Sequence, residues 1–330
     1  MTPITISART LVAVTATVGM AVPVALAAPS LAASSTESTV SKEASAKGHC
    51  VRSRQGIPQA GKTYLGAAVN GTHTIGSRER QLGRTIRLHR SYYNANQISG
   101  AVRDAKADLK AGRLPWISFK APYSWSQMAA GNGNRWAKEL ARGLRKVHGP
   151  VWLAVHHEPE KDGDLALWTK MQRQIAPIIH ARTNNVAYTV IYSGWNTYGG
   201  GRNTVATKWP GNANIDILAI DAYSDYGVRR AGGVGDKHLD VRPYFRKMAR
   251  WARHHHTAWA VAEIGQSRPA AKDDPKWLVR AYHTMQRLGG AGMSYFDSNK
   301  HSVTDWTLDD PVKFARYRSL MPLSARLCGR

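Results

Sequence analysis

The sequence predicts a single-domain (β/α)8 barrel on three observations: eight short apolar runs, amphipathic helical stretches between them, and a suitable length. The runs are TYLGAAV (63–69), TIRLH (85–89), PWISF (115–119), PVWLAV (150–155), VAYTVIYS (186–193), IDILAID (215–221), AWAVAEIG (258–265) and GMSYFDS (292–298). Each is rich in β-branched or aromatic residues and mostly apolar on both faces, the pattern of strands buried in a parallel sheet. A barrel of this kind fills about 250 residues, so the 330-residue chain has room for one and a leader.

The stretches between the runs alternate apolar and charged residues at helical spacing. They include 97–112, 135–148, 164–182, 241–256, 275–290 and 311–321. Asp240 and Asp274 stand where helix N-caps belong, and Gly112 and Gly289 where helices stop. The first two helices are poorly marked. The segment 194–214, rich in Gly, Asn and Trp, reads as a long loop, and in a barrel the loops after strands build the functional face. An open doubly wound sheet is the competing architecture, but no glycine-rich dinucleotide turn follows the first run.

Both ends of the chain carry information. Arg9 is the sole charged residue before Glu37, and the apolar run Leu11–Ala27 is followed by small residues suited to cleavage. Residues 1–33 therefore read as a secretory signal peptide, with a membrane anchor as the alternative, and 34–49 as a flexible leader. The domain is expected to span 50–330 and to be secreted and extracellular. Cys50 and Cys328, the two cysteines, stand near the domain's ends. An even count in an exported chain points to a disulfide, and two free thiols are the alternative. Closing so long a loop would remove roughly 5 kcal/mol of unfolded-state entropy.

Lysine and arginine total 46 against 22 aspartates and glutamates, a formal net charge of +24. Such a balance favours anionic surfaces, including acidic cell-wall polymers. The basic residues are spread along helices, as in Arg242–Arg253, and no nucleic-acid-binding motif appears, so no specific nucleic acid is expected. A monomer is expected.

Acidic residues are scarce, which sharpens the search for chemistry. Three runs end in carboxylates: VHHEPE (155–160), AIDAYS (219–224) and VAEIG (261–265). A barrel gathers strand C-termini around one mouth, so Glu158, Asp221 and Glu263 converge there. Glycosidic hydrolysis needs two carboxyl groups across the scissile bond. Glu158 and Glu263 supply them, from the fourth and seventh strands. Glu160 is the rival acid, but Pro159 ends the strand and should turn it outward. Glu263 lies in an apolar run, where a carboxylate is costly unless used or paired. Asp221 reads either as a structural hydrogen-bond acceptor or as a participant.

This arrangement resembles the retaining (β/α)8 glycoside hydrolase clan, which carries a glutamate after the fourth strand and another after the seventh. The pair His157–Glu158 and the Asp221–Tyr223 segment are similar to glycoside hydrolase family 26, the β-mannanase-like family, over about 60–325. The resemblance implies Glu158 as acid/base, Glu263 as nucleophile, and His157 and Tyr223 as residues that orient them. It also implies a β-mannan or related β-glycan as polysaccharide substrate. The chain departs from the family at PEKDGDL (159–165), where aromatic residues are usual, and at YFDS (295–298), where tryptophan is common; the glycan is left open.

Aromatic residues after strands offer faces for pyranose rings: Tyr92, Tyr93, Tyr123, Trp125, Trp195, Tyr223 and Tyr295. Arg87, His89 and Arg90 are candidates to position substrate or keep Glu263 ionised, with a structural ion pair the other reading of Arg87. No cofactor or metal is called for. His156, His157 and Glu158 are adjacent, so alternating side chains should diverge rather than share an ion. The rival functions are a polysaccharide-binding barrel without catalysis, and a metal-dependent phosphodiesterase using His89 and His157. Double displacement predicts carboxyl groups about 5–5.5 Å apart.

Overall fold

The computed structural model describes residues 50–194, 204–230, 232–300 and 302–329. The predicted signal peptide, the leader up to residue 49 and Trp195 lie outside the described residues. Eight parallel strands close into a barrel: β1 Tyr64–Val69, β2 Leu88–Tyr93, β3 Leu114–Phe119, β4 Val151–Val155, β5 Val186–Ser193, β6 Ile217–Ser224, β7 Ala258–Gln266 and β8 Gly292–Asp297. Each pairs with its neighbours in sequence, and β8 returns to β1. The (β/α)8 expectation holds.

The barrel lumen and the barrel–helix layer are filled differently. Trp116 and Trp152 meet edge to face inside the barrel at 5.0 Å between ring centroids, beside Tyr64 and Leu88. Small residues make room for them: Ala154, Ala187, Ala219, Ala260 and Ala262 complete this inner cluster. At Gly66 a Cβ would stand 2.3 Å from the Leu88 carbonyl oxygen, so β1 and β2 approach this closely because no side chain intervenes. Alternate residues of the same strands, among them Leu65, Ile117, Leu153, Leu218 and Val261, face the helices.

The helices are α1 Ile75–Leu82, α2 Ile98–Lys110, α3 Trp125–Ala129, α4 Asn134–Arg145, α5 Leu165–His180, α6 Val205–Lys208, α7 Val241–His254, α8 Arg268–Asp273, α9 Trp277–Arg287 and α10 Pro311–Leu320. The weakly patterned α1 is fixed at its ends instead, by a capping box at Thr74 and a left-handed Gly83. In α4, buried Ala137, Leu140, Ala141 and Leu144 repeat at helical spacing. Asp240 caps α7 through Arg242 N, but Asp274 ends α8 and Lys276 holds the N-cap of α9.

The second strand is the largest departure from the apolar-run reading. Residues 85–87 are an approach segment, and the strand continues through HRSYY. Polar residues can occupy this strand because Arg90 and Tyr92 find partners inside the barrel.

At the other end of the barrel, Cys50–Val51 pairs in parallel with Arg326–Leu327, and Val51 joins the inner cluster. Cys50 and Cys328 are joined by a disulfide that spans 278 residues of sequence.

Candidate active site

Strand geometry alone would not deliver both glutamates to the mouth. Along β7, Ala260 and Ala262 face the lumen while Trp259, Val261 and Ile264 face the helices. Strict alternation would send Glu263 outward. A β-bulge shifts the register between Val261 and Glu263 against β6, and between Val261 and Ile264 against β8. The extra residue lets Ala262 and Glu263 both point inward. Two residues on, a Cβ at Gly265 would stand 2.8 Å from the Tyr223 ring, so glycine permits the tyrosine to lie against β7.

The end of β4 is bent by another device. His156 (φ 55°) and Glu158 (φ 50°) both adopt the left-handed conformation, uncommon for residues with a side chain. His156 turns away from the mouth, against Asp162 and the edge of Trp125. His157 turns inward, its ring 5.6 Å from that of Tyr92. The histidines diverge as expected. Glu158 follows, with its N–H donating to the Ile191 carbonyl at 2.9 Å. Left-handed residues this close together cost on the order of 1–3 kcal/mol each and concentrate where function requires them.

Glu263 is buried and held on both oxygens. Oε1 accepts from Tyr92 Oη at 2.7 Å and from Arg90 Nη2 at 3.3 Å. Oε2 accepts a very short bond from Tyr223 Oη. Arg90 is fixed in turn by Ser118 Oγ at 3.0 Å, and its guanidinium lies over the rings of Tyr92 and Trp116. Burial alone would raise the Glu263 pKa. The Arg90 charge and the two tyrosine hydrogen bonds outweigh it and hold the carboxyl below its ordinary value. His157 adds little positive charge at neutral pH, since burial and then Arg90 push its pKa down to about 3. Tyr92 and Tyr223 remain protonated donors, because burial lifts both well above their ordinary range.

Glu158 goes the other way. Burial, then the charge of Glu263, then that of Glu160, raise its pKa to about 8. Two carboxyl groups in one mouth are therefore driven apart, one ionised and one protonated near neutrality. Asp221, paired in register with Glu263, is also raised, first by burial and then by Glu263 and Glu158. Its oxygens are buried and lack a hydrogen-bond partner among the described residues.

Other expected residues sit elsewhere. Arg87 precedes β2, and its guanidinium lies 3.3 Å from where a Cβ on Gly112 would stand, near Arg326 and Glu79, away from the mouth. His89 faces α2, with Nδ1 2.9 Å from Asp108. The later start of β2 explains both: Arg87 falls before the strand, and with Leu88, Arg90 and Tyr92 on the lumen side His89 points out. Tyr295 likewise faces the helices and packs on Tyr317, while Phe296 points inward against Tyr223. Trp125 is buried at the rim beneath His156. Glu160 does not turn outward: its Oε1 pairs with buried Lys208 at 2.7 Å.

From the sequence Tyr92 stands only as a ring after strand two, and Trp306, which packs 4.7 Å from Tyr223, does not stand out. Inward parity from Leu88 would have marked Tyr92 as a partner for Glu263; no sequence signal marks Trp306. Among the described residues no group of three or more His, Cys, Asp or Glu side chains is placed to hold a metal ion.

No family model matches the chain, and no curated protein does. Solved structures do. A Cellulomonas fimi endo-β-1,4-mannanase double mutant superposes with a TM-score of 0.57 at 14% identity, over 80% of this chain and 72% of that one. A GH26 β-mannanase from Bacteroides ovatus gives 0.55 at 12%, over 78% and 88%. Thermotoga maritima Cel5A, solved with mannotriose, gives 0.59 at 13%, over 81% and 98%. At such identities the likeness establishes architecture: this chain is built as a (β/α)8 barrel like those glycoside hydrolases.

Proposed function

We propose that the chain is a retaining glycoside hydrolase acting on a β-linked glycan, mannan-like or related. The observation that carries this reading is geometric: Glu263 is clamped by Arg90, Tyr92 and Tyr223 in the mouth where the turn after β4 presents a second carboxyl, Glu158. In the first step a Glu263 oxygen attacks the anomeric carbon. The bond from that carbon to the leaving oxygen breaks as Glu158 transfers its proton there. In the second step Glu158, now a carboxylate, takes a proton from water. The water oxygen attacks the same carbon, releasing Glu263 and restoring Glu158 to the acid form.

Tyr223 and Tyr92 orient the nucleophile, and Arg90 keeps it ionised while offsetting its charge. Secretion is part of the proposal, supported by the N-terminal apolar run and by the disulfide, which suits an oxidising compartment.

The test is purified protein on mannan, xylan, mixed-linkage glucan and bacterial wall extracts, with the first-formed anomer read by NMR. Retention at the anomeric carbon is expected. Inversion would remove the assignment of Glu263 as nucleophile. A Glu263→Ala protein that binds glycan but does not cut it separates catalysis from mere retention of polysaccharide; undiminished cutting would refute the mechanism.

A further inference from the structure

One cation at the mouth has no task in that mechanism. On β3 the residues facing the lumen are Leu114, Trp116 and Ser118, the last bonded to Arg90. The same alternation carries Lys120, directly after the strand, onto the inward row above Ser118. Its backbone is fixed there, with N–H donating to the Tyr93 carbonyl at 2.9 Å. Its side chain is exposed, and among the described residues it has no ion pair or hydrogen bond. Its charge is felt by both His156 and His157. Asp162, on the loop after β4, is engaged by His156. Three residues along the same loop Tyr123 is 49% exposed, one of few large apolar side chains so open to solvent among the described residues.

We infer that Lys120 selects a glycan carrying an acidic substituent, a uronate carboxylate or a phosphate ester, on a sugar close to the scissile bond. The inference rests on the glycosidase reading and narrows its substrate. The floor of the mouth supports it. The Glu263 charge is matched by Arg90, and Glu158 and Asp221 are held toward their neutral forms, so the floor does not repel an anion. A lysine is a compact, mobile point charge, suited to either acidic group. The overall charge of +24 would draw such a polymer in.

The experiment measures binding by calorimetry of three β-1,4-linked tetrasaccharides: one of glucose, one of glucuronate, and one of glucose bearing a single 6-phosphate. The proteins are wild type, Lys120→Gln, and Arg250→Gln as a distant cation on α7. Wild type should prefer at least one acidic probe over the neutral one, and the tighter of the two identifies the acid. Lys120→Gln should cut that preference about fivefold, the scale of a partly exposed ion pair, while Arg250→Gln leaves it intact. Equal affinity for all probes, or equal losses in the two variants, would overturn the inference. Preference through Lys120 without any glycan being cut would instead defeat the glycosidase reading.

Discussion

The ends of β4 and β7 deliver the same functional group to the same mouth and leave it in opposite states. At β7 a bulge inserts Glu263 deep into the barrel, where Arg90, Tyr92 and Tyr223 meet it. At β4 a turn with left-handed residues presents Glu158, where burial and the charges of Glu263 and Glu160 outweigh the pull of Arg90. The glutamates do not differ in chemistry. Among the described residues they differ in how many donors converge on each, and that difference sets two identical side chains apart as a nucleophile and an acid.

The sharpest way to break this contrast is at β7. Glu263→Gln should lower kcat by roughly 10⁴-fold or more on whichever glycan is cut, with glycan affinity retained. Next is Glu158→Gln, with an expected loss of about 10²–10⁴-fold where the leaving group needs a proton. Substrates with a good leaving group should be spared in the first step, and retention of the full loss with them would break the assignment.

The pH profile tests both ends at once. The productive form has Glu263 ionised and Glu158 protonated. Activity should therefore fall on the acid side below the ordinary carboxyl range, and on the alkaline side near pH 8. In Glu158→Gln the alkaline limb should vanish from the residual rate.

Arg90→Met attacks the cause of the difference. Glu263 loses its counter-charge, so its pKa should rise and the acid limb should move upward. Leaving a buried carboxylate unpaired should also cost about 3–5 kcal/mol of stability, read by urea unfolding. Tyr223→Phe removes one donor to a charged group, worth about 1.5–3 kcal/mol, and should reduce kcat more than it raises KM. At the far end of the barrel, Cys50→Ser opens the disulfide; about 2–4 kcal/mol of stability should be lost with the pH profile unchanged. A changed profile would show that the two ends of the barrel are coupled.

Much of this was legible in the sequence. Eight buried runs specify eight strands because a parallel strand inside a barrel must be apolar on both faces. Scarcity of acids made Glu158 and Glu263 stand out. Arg87, His89 and Tyr295 misled for a common reason: proximity to a strand end was visible and facing was not. A strand has period two, so an uncertain start misassigns every side chain along it. The start of β2 moved from residue 85 to residue 88, and the partners of Glu263 became Arg90 and Tyr92.

The amino-acid order by itself determined the barrel, its disulfide-competent cysteines and the acids that reach its mouth, because burial patterns and residue types are local properties of the chain. Only the folded molecule decided which way those acids face and which of them keeps its proton. A bulge, a left-handed turn and one buried guanidinium settle that, and each depends on neighbours supplied by other strands.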